Sequence, residues 1–335
     1  MRYKVCFRLL RLSPGYFDLM GFKFKDQYYF DKCLPMGAVV SCALFESFST
    51  ALHWFVQNQS GCEDILRYLD DFLFGGSAGS TQCKDILKLF QNSCKLWSVP
   101  LAVNKTVEPT EALIFPGIEF DTINMVMLLP DEKLIELRNK IESCLACTKI
   151  SLRDLQSLIG SLNFACQVIV PGRAFCRRLI DATCNVRRPH HKIRATLAIQ
   201  DDLRVWLSFL SNYNGTTVIP DQFWSSNYEL NLFSDSAGRK GKGFGICHDR
   251  KWAQACWSNS WISSGILMDI TFLELIPVAI ALNIWGESLR NRFFLFHILF
   301  HISYQAVVSI INKKSSSSPR VMSLVRKLVF ACLTF

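Results

Sequence analysis

The sequence predicts an α+β fold, and three observations carry that reading. Half of the 335 residues are hydrophobic and 19% are charged, enough to bury sizeable cores and too apolar for a disordered chain. Apolar residues recur at strand spacing in some stretches and at helix spacing in others. The two patterns are segregated into three zones, 1–130, 131–225 and 226–335, a length suited to about two domains.

In the first zone Tyr28-Tyr29-Phe30 reads as a strand and Cys42 to Phe55 as an apolar helix. Ile65 to Phe74 is apolar on both sides of an aspartate pair, the pattern of a β-hairpin with acids at its turn. The second zone is helical. Leu134, Leu137 and Ile141 share a face, and Ser151-Leu152-Arg153-Asp154 is a capping-box sequence before an apolar run to Ala165. Pro171-Gly172 ends that run, and Leu203, Trp206, Leu207 and Leu210 follow amphipathic spacing. In the third zone Leu230 to Ser234, Gly243 to His248 and Trp252 to Trp257 read as short strands. Thr271-Phe272-Leu273-Glu274 is a second capping-box sequence, opening a helix through Trp285. Phe293 to Ile302 reads as a strand, Gln305 to Asn312 as a short helix, and Ser315 to Pro319 as a loop.

The bulk numbers exclude several classes. The 14 cysteines show no disulfide framework and no secretory leader opens the chain, so we expect reduced thiols and an intracellular protein of cytoplasm or nucleus. Cys144 and Cys147 form the one C-x-x-C pair. A zinc site needs a second pair, so core packing is the expected role. The apolar run Phe293 to Ile302 is too short to cross a bilayer, and no membrane partner is expected. The net charge of +9 permits a polyanionic partner without requiring one, and nothing fixes an oligomeric state.

The sharpest local signal is Tyr68-Leu69-Asp70-Asp71. Two adjacent aspartates in an apolar hairpin are costly unless compensated, and clustered carboxylates are what nucleotidyl transfer needs to hold two Mg²⁺ ions. An exposed hairpin turn would also favour Asp, so both readings stand. Leu34-Pro35-Met36-Gly37 and Ser41 lie upstream. Ala102-Val103-Asn104-Lys105-Thr106 and Phe115-Pro116-Gly117-Ile118-Glu119 lie downstream.

Further on, Ser234-Asp235-Ser236 closes a strand and Glu274 opens a helix. Carboxylates from two such elements could converge on metal, although a cap partner explains Glu274 equally well. Arg173, Arg177 and Arg178, then Arg187-Arg188-Pro189-His190-His191-Lys192 and Arg194, form a basic strip. It could follow a phosphate backbone or be a solvated surface.

In this order the motifs resemble a reverse transcriptase palm followed by a helical thumb or connection and a ribonuclease H-like domain. The stretches Tyr28 to Gly37, Leu158 to Ala165 and Pro171 to Phe175 resemble most closely the tyrosine-recombinase retrotransposons of the DIRS and Ngaro groups. The resemblance covers nearly the whole chain. It implies that Asp70 and Asp71 bind Mg²⁺ or Mn²⁺, that Gly37 and Ser41 border the template and incoming nucleotide, and that Lys105 lies near the triphosphate. Phe7 would be an aromatic gate against a ribose 2′-hydroxyl, with core packing as its alternative. Asp235 and Glu274 would hold the nuclease metals, and Arg173, Arg187, Arg188 and Lys192 the nucleic-acid backbone. The implied partners are an RNA template, a DNA primer and the RNA–DNA hybrid.

Two departures from the family pattern stand out. Arg2 occupies the place of the first palm aspartate, and Ser303 that of the third nuclease acid. The sequence also begins without the fingers and stops at Phe335 before a fourth nuclease acid. The expectation is therefore a truncated, catalytically impaired polymerase–nuclease, with a non-catalytic nucleic-acid-binding remnant or pseudogene product as the alternative.

Overall fold

The computed structural model describes residues 6–215, 217–219, 224–225, 231–292, 297–298 and 304–334. Helices and small sheets alternate along it, in two compact units, Met1–Gly117 and Ile118–Phe335.

The first unit opens with 3-10 turns at Cys6–Leu9 and Pro14–Met20 and the antiparallel hairpin β1 (Gly21–Phe24) and β2 (Gln27–Phe30). Helix α1 (Val39–Ser60) is longer than expected. It stops where Gly61 enters the left-handed region at φ +65° and its N–H caps the Gln57 carbonyl, a conformation that favours glycine. Strands β3 (Ile65–Tyr68) and β4 (Asp71–Phe74) form the expected hairpin, and α2 (Gln82–Leu96) and β5 (Ala112–Ile114) follow. Period-two alternation puts Ile65, Phe72 and Phe74 on one face of that hairpin. They pack with Phe45, Leu52 and Val56 of α1 and with Ile86, Phe90 and Cys94 of α2. The sequence reading passed over α2, although these residues recur at helical spacing.

The second unit begins with β6 (Glu119–Asp121), β7 (Val126–Leu128) and α3 (Asp131–Leu145). Then come β8 (Lys149–Ser151), α4 (Leu152–Ala165), a 3-10 turn at Val170–Phe175, α5 (Arg177–Thr183), β9 (Lys192–Arg194) and α6 (Leu197–Asn212). The Ser151 hydroxyl accepts the Asp154 N–H at 3.1 Å, so the capping box forms as the sequence predicts. Strand β10 (Thr217–Val218) pairs with β7, and β11 (Trp224–Ser225) follows. Strands β12 (Leu232–Ser236), β13 (Gly243–His248) and β14 (Lys251–Cys256) make an antiparallel meander. After α7 (Asn259–Ser263) and the long α8 (Ile270–Arg292), β15 (His297–Ile298) pairs parallel with β11, and α9 (Gln305–Lys313) and α10 (Pro319–Thr334) close the chain.

One core joins Leu137 and Ile141 of α3, Leu155, Leu158 and Leu162 of α4, and Leu203, Trp206 and Leu210 of α6 to Leu275 and Val278 of α8 and Val325 and Val329 of α10. Gly172 lies against the Trp206 ring so closely that a Cβ would sit 2.3 Å from its Cη2, which excludes any side chain there. Leu232, Ile246, Ala281 and Trp285 form a second cluster between the meander and α8. Cys144 is in the main core as expected, but Cys147 is exposed.

Three expectations change. Helix α8 starts earlier than the Thr271 capping box implies: Asp269 Oδ1 accepts the Phe272 N–H at 3.1 Å, so Asp269 is the cap. Helix α10 was unforeseen, despite Pro319 at its first position and Val321, Val325 and Leu328 on one face. The sequence pointed only to the run near its end as a membrane candidate, but helices α1 and α8 also have the length and apolar composition, and both bury residues in the cores described above. The expected strand at Phe293 to Ile302 lies outside the described residues except for His297–Ile298, as does Leu230.

Candidate nucleic-acid and metal-binding sites

The β3–β4 hairpin is closed by the facing pair Tyr68 and Asp71, leaving Leu69 and Asp70 as a two-residue loop. Such a loop needs positive φ at its first central position, normally a glycine. Here Leu69 takes φ +52°, a conformation costing a β-carbon-bearing residue about 1–3 kcal/mol. The surroundings hold it there. The fully buried Ser49 of α1 donates its hydroxyl to the Leu69 carbonyl at 2.7 Å. Beneath β3, Arg67 donates to Glu46, to Thr50 Oγ1 at 2.8 Å and to His53 Nδ1 at 3.2 Å, three residues on one face of α1. Burial and the Arg67 charge together lower the His53 pKa. The sequence reading missed this support. Its signals were a serine among Phe45, Leu52 and Val56, and a polar stripe at helical spacing along an apolar helix.

Asp70 and Asp71 are thus neighbours at the tip of an anchored hairpin, both half-buried. Asp71 lines a cavity of about 430 Å³ together with Phe72, Cys83, Leu87, Lys105 and residues 107–110 and 113–117. Lys105, at the end of a 3-10 turn, is exposed and shares that cavity, so two of the expected site residues meet there. Gly37 is exposed at φ +92°, where a side chain would strain the backbone. Ser41 is 1% exposed and donates to the Pro35 carbonyl at 2.8 Å. Its hydroxyl therefore fastens the Leu-Pro-Met-Gly loop to α1 and is not presented to a ligand. Phe7 packs edge-on against Phe45 with centroids 5.3 Å apart. Arg2 lies outside the described residues.

In the second unit Asp235 is inside β12, which runs two residues further than expected, and its side chain is exposed. Glu274 is buried, on the second turn of α8 and clear of the cap. Its carboxyl pKa is raised first by burial and then by the nearby Asp235 charge. The Ser236 hydroxyl, buried beside it without a well-formed hydrogen bond, eases the shift. The two acids are therefore close enough to repel, on adjoining strand and helix. Ser303 lies outside the described residues, and among the described residues no group of three or more His, Cys, Asp or Glu gathers.

The basic strip divides in two. Arg177 pairs with Asp181 at 2.6 Å and Arg178 with Asp202 at 3.0 Å, so both serve the fold. Asp202 is 2% exposed and also meets Arg326 of α10 at 3.2 Å; burial lifts its pKa to about 6 in spite of the two guanidiniums. Arg173, Arg187, Arg188 and Lys192 are exposed, and among the described residues no carboxylate pairs with them.

This mixture of anchored hairpin, helices and carboxyl-bearing meander is a reverse transcriptase-like fold. No protein-family model and no curated protein matches the chain. Solved structures do. The foamy viral protease-reverse transcriptase in complex with RNA/DNA hybrid is 17% identical, with a TM-score of 0.51 over 97% of this chain and 41% of its own. A further form of that protein, described as dRH and in complex with double-stranded DNA, gives 15%, 0.53, 97% and 53%. A third structure, with double-stranded DNA, gives 15%, 0.50, 96% and 65%. The chain spans less than two thirds of each of these proteins, and at such identities the likeness concerns the fold.

Proposed function

We propose that the chain is a retrotransposon-derived RNA-directed DNA polymerase and ribonuclease H of the tyrosine-recombinase group, with slow catalysis. The observation that carries the reading is the meeting of Asp71 and Lys105 at one cavity, with Asp70 beside them on an anchored hairpin. Carboxylate oxygens are the donors hard divalent cations take, and the cavity has the size of a small-molecule site. Asp70 and Asp71 would hold Mg²⁺ or Mn²⁺ in the palm, and Asp235 and Glu274 in the nuclease. Burial first, and then repulsion from Asp235, raises the Glu274 pKa; a cation bound between the two acids would relieve the second. When bound, the metal would activate the attacking oxygen and neutralise charge developing on the phosphate.

The chain's own residues do the remaining work. Lys105 offers a cation to the triphosphate, and Gly37 leaves room for close backbone approach in a loop fastened by Ser41. Phe7 restricts the space beside the sugar. RNA template, DNA primer and their hybrid are the partners. Arg2 and Ser303 stand where acids would complete each metal set, so the rate is low; they also favour the second reading, a nucleic-acid-binding remnant without catalysis.

Primer extension on an RNA template, with Mg²⁺ and with Mn²⁺, tests this. We expect weak extension, well below the roughly one event per second of ordinary enzymes, lost in Asp70→Asn/Asp71→Asn. A normal rate would overturn the assignment of Arg2. Hybrid binding without any extension would select the second reading.

A further inference from the structure

Strands β8 and β9 form a two-stranded ribbon in the register Lys149 opposite Arg194, Ile150 opposite Ile193 and Ser151 opposite Lys192. Side chains alternate across a ribbon. Ile150 is buried in the main core and Ile193 packs against it, so Lys149, Lys192 and Arg194 share the outward face, where all three are exposed. Lys149 and Arg194 are directly opposed like charges, an arrangement that destabilises a ribbon.

The residues around the ribbon deepen the imbalance. Arg187 and Arg188 are exposed on the loop leading into β9. That loop is held by its backbone: the Leu152 N–H donates to the His191 carbonyl at 2.8 Å, and the Arg153 N–H to the Pro189 carbonyl at 3.0 Å. Arg153 itself is exposed in the first turn of α4, where the helix dipole disfavours a cation. Against these six cations the segments 147–155 and 186–196 contain one acid, Asp154, which is engaged with Ser151 at the helix cap. Four arginines elsewhere in this unit (Arg177, Arg178, Arg204 and Arg326) each meet a carboxylate, whereas Arg138 reaches only the Ser211 hydroxyl and Arg173 is exposed like those of the ribbon. Among the described residues the ribbon's cations meet no carboxylate.

We propose that this ribbon and its loop form a phosphate-backbone site for duplex nucleic acid, an RNA–DNA hybrid or DNA, binding without regard to base sequence. The site is fixed by core packing and cap hydrogen bonds, so its charges stand ready for an external polyanion to neutralise. It rests on the nucleic-acid reading above but not on the carboxylates; it adds Lys149 and Arg153, which that reading does not use, and sets Arg194 opposite Lys149 on one face.

Counterion release makes the claim quantitative. About six neutralised phosphates give log K a slope of about −5 against log salt, so affinity falls about a thousandfold between 50 and 200 mM. Each lysine or arginine removed from a phosphate contact makes the slope shallower by about one.

The experiment is fluorescence anisotropy of the full chain with a labelled RNA–DNA hybrid of two unrelated sequences at several salt concentrations. Lys149→Gln/Lys192→Gln/Arg194→Gln should flatten the slope by about 3 and leave thermal stability unchanged or higher. Arg204→Gln, whose arginine is paired with Asp201, should leave the slope as it is. Hybrid binding with an unaltered slope in the triple variant overturns the ribbon while leaving the proposed function standing. No binding at low salt overturns both. Equal, equally salt-sensitive binding to phosphatidylserine vesicles overturns the assignment to nucleic acid.

Discussion

Substitution of Ser49 by alanine isolates the contact that holds the aspartate hairpin. Ser49 is fully buried and donates to the carbonyl of Leu69, the residue carrying the positive φ. Alanine fills almost the same space, so the main loss is one hydrogen bond, with a partly buried acceptor deprived of this donor. That costs about 1–3 kcal/mol. At 1.36 kcal/mol per factor of ten, opening of the hairpin should become about 5- to 150-fold more frequent. Hydrogen-exchange mass spectrometry of the full chain reads this directly, in peptides spanning residues 65–74 with α4 peptides as an internal control. Exchange should accelerate in the hairpin, or throughout the first unit if opening there is collective, and stay constant in α4. Ser49→Cys, with its weaker donor, should fall between wild type and alanine. Unchanged hairpin exchange in Ser49→Ala would refute the argument that α1 supports the loop bearing Asp70.

Two further perturbations test the second unit. Glu274→Gln should raise the melting temperature at pH 7. The Glu274 pKa is raised in the folded state, so its ionised form is a burden above that pKa that fades as pH falls toward the ordinary carboxylate range; the advantage of Gln should shrink over the same window, and a pH-independent difference would contradict it. Asp202→Asn removes the acid between Arg178 and Arg326 and should cost about 3–5 kcal/mol, since it leaves buried positive charge uncompensated; a loss under about 1 kcal/mol in chemical denaturation would show that the network is dispensable.

Elements with strong periodicity or caps were legible in the sequence. The hairpin Ile65–Phe74, the capping box at Ser151, the amphipathic α6 and strand β13 all appear where local spacing places them. The start of α8 was misread because Asp269 and Thr271 both suit a cap, and the choice depends on which oxygen reaches an N–H. At the candidate site, motif order singled out Asp70, Asp71 and Lys105, of which Asp71 and Lys105 line one cavity. Ser41 shows the limit of that approach: its position fits a nucleotide contact, but its hydroxyl turns inward to Pro35. Ser49 and Arg67 act through tertiary contacts 20 and 14 to 21 residues away in sequence; the polar stripe of α1 signals that some partner is met, but no local pattern says which.

The core that runs from α3 and α4 through α6 into α8 and α10 has a consequence for how mutations accumulate in such a chain. A stop codon before residue 304 would delete Val307, Val321, Met322, Val325 and Val329, and with them and Phe330 one wall around Phe175. The 3-10 turn Val170–Phe175, which packs against α4, α5 and α6, would lose that support although none of its own codons had changed. Damage at one end of this unit is therefore inherited by the other. For as long as selection retains the ribbon, it must also retain α10, whatever becomes of the carboxylates between them.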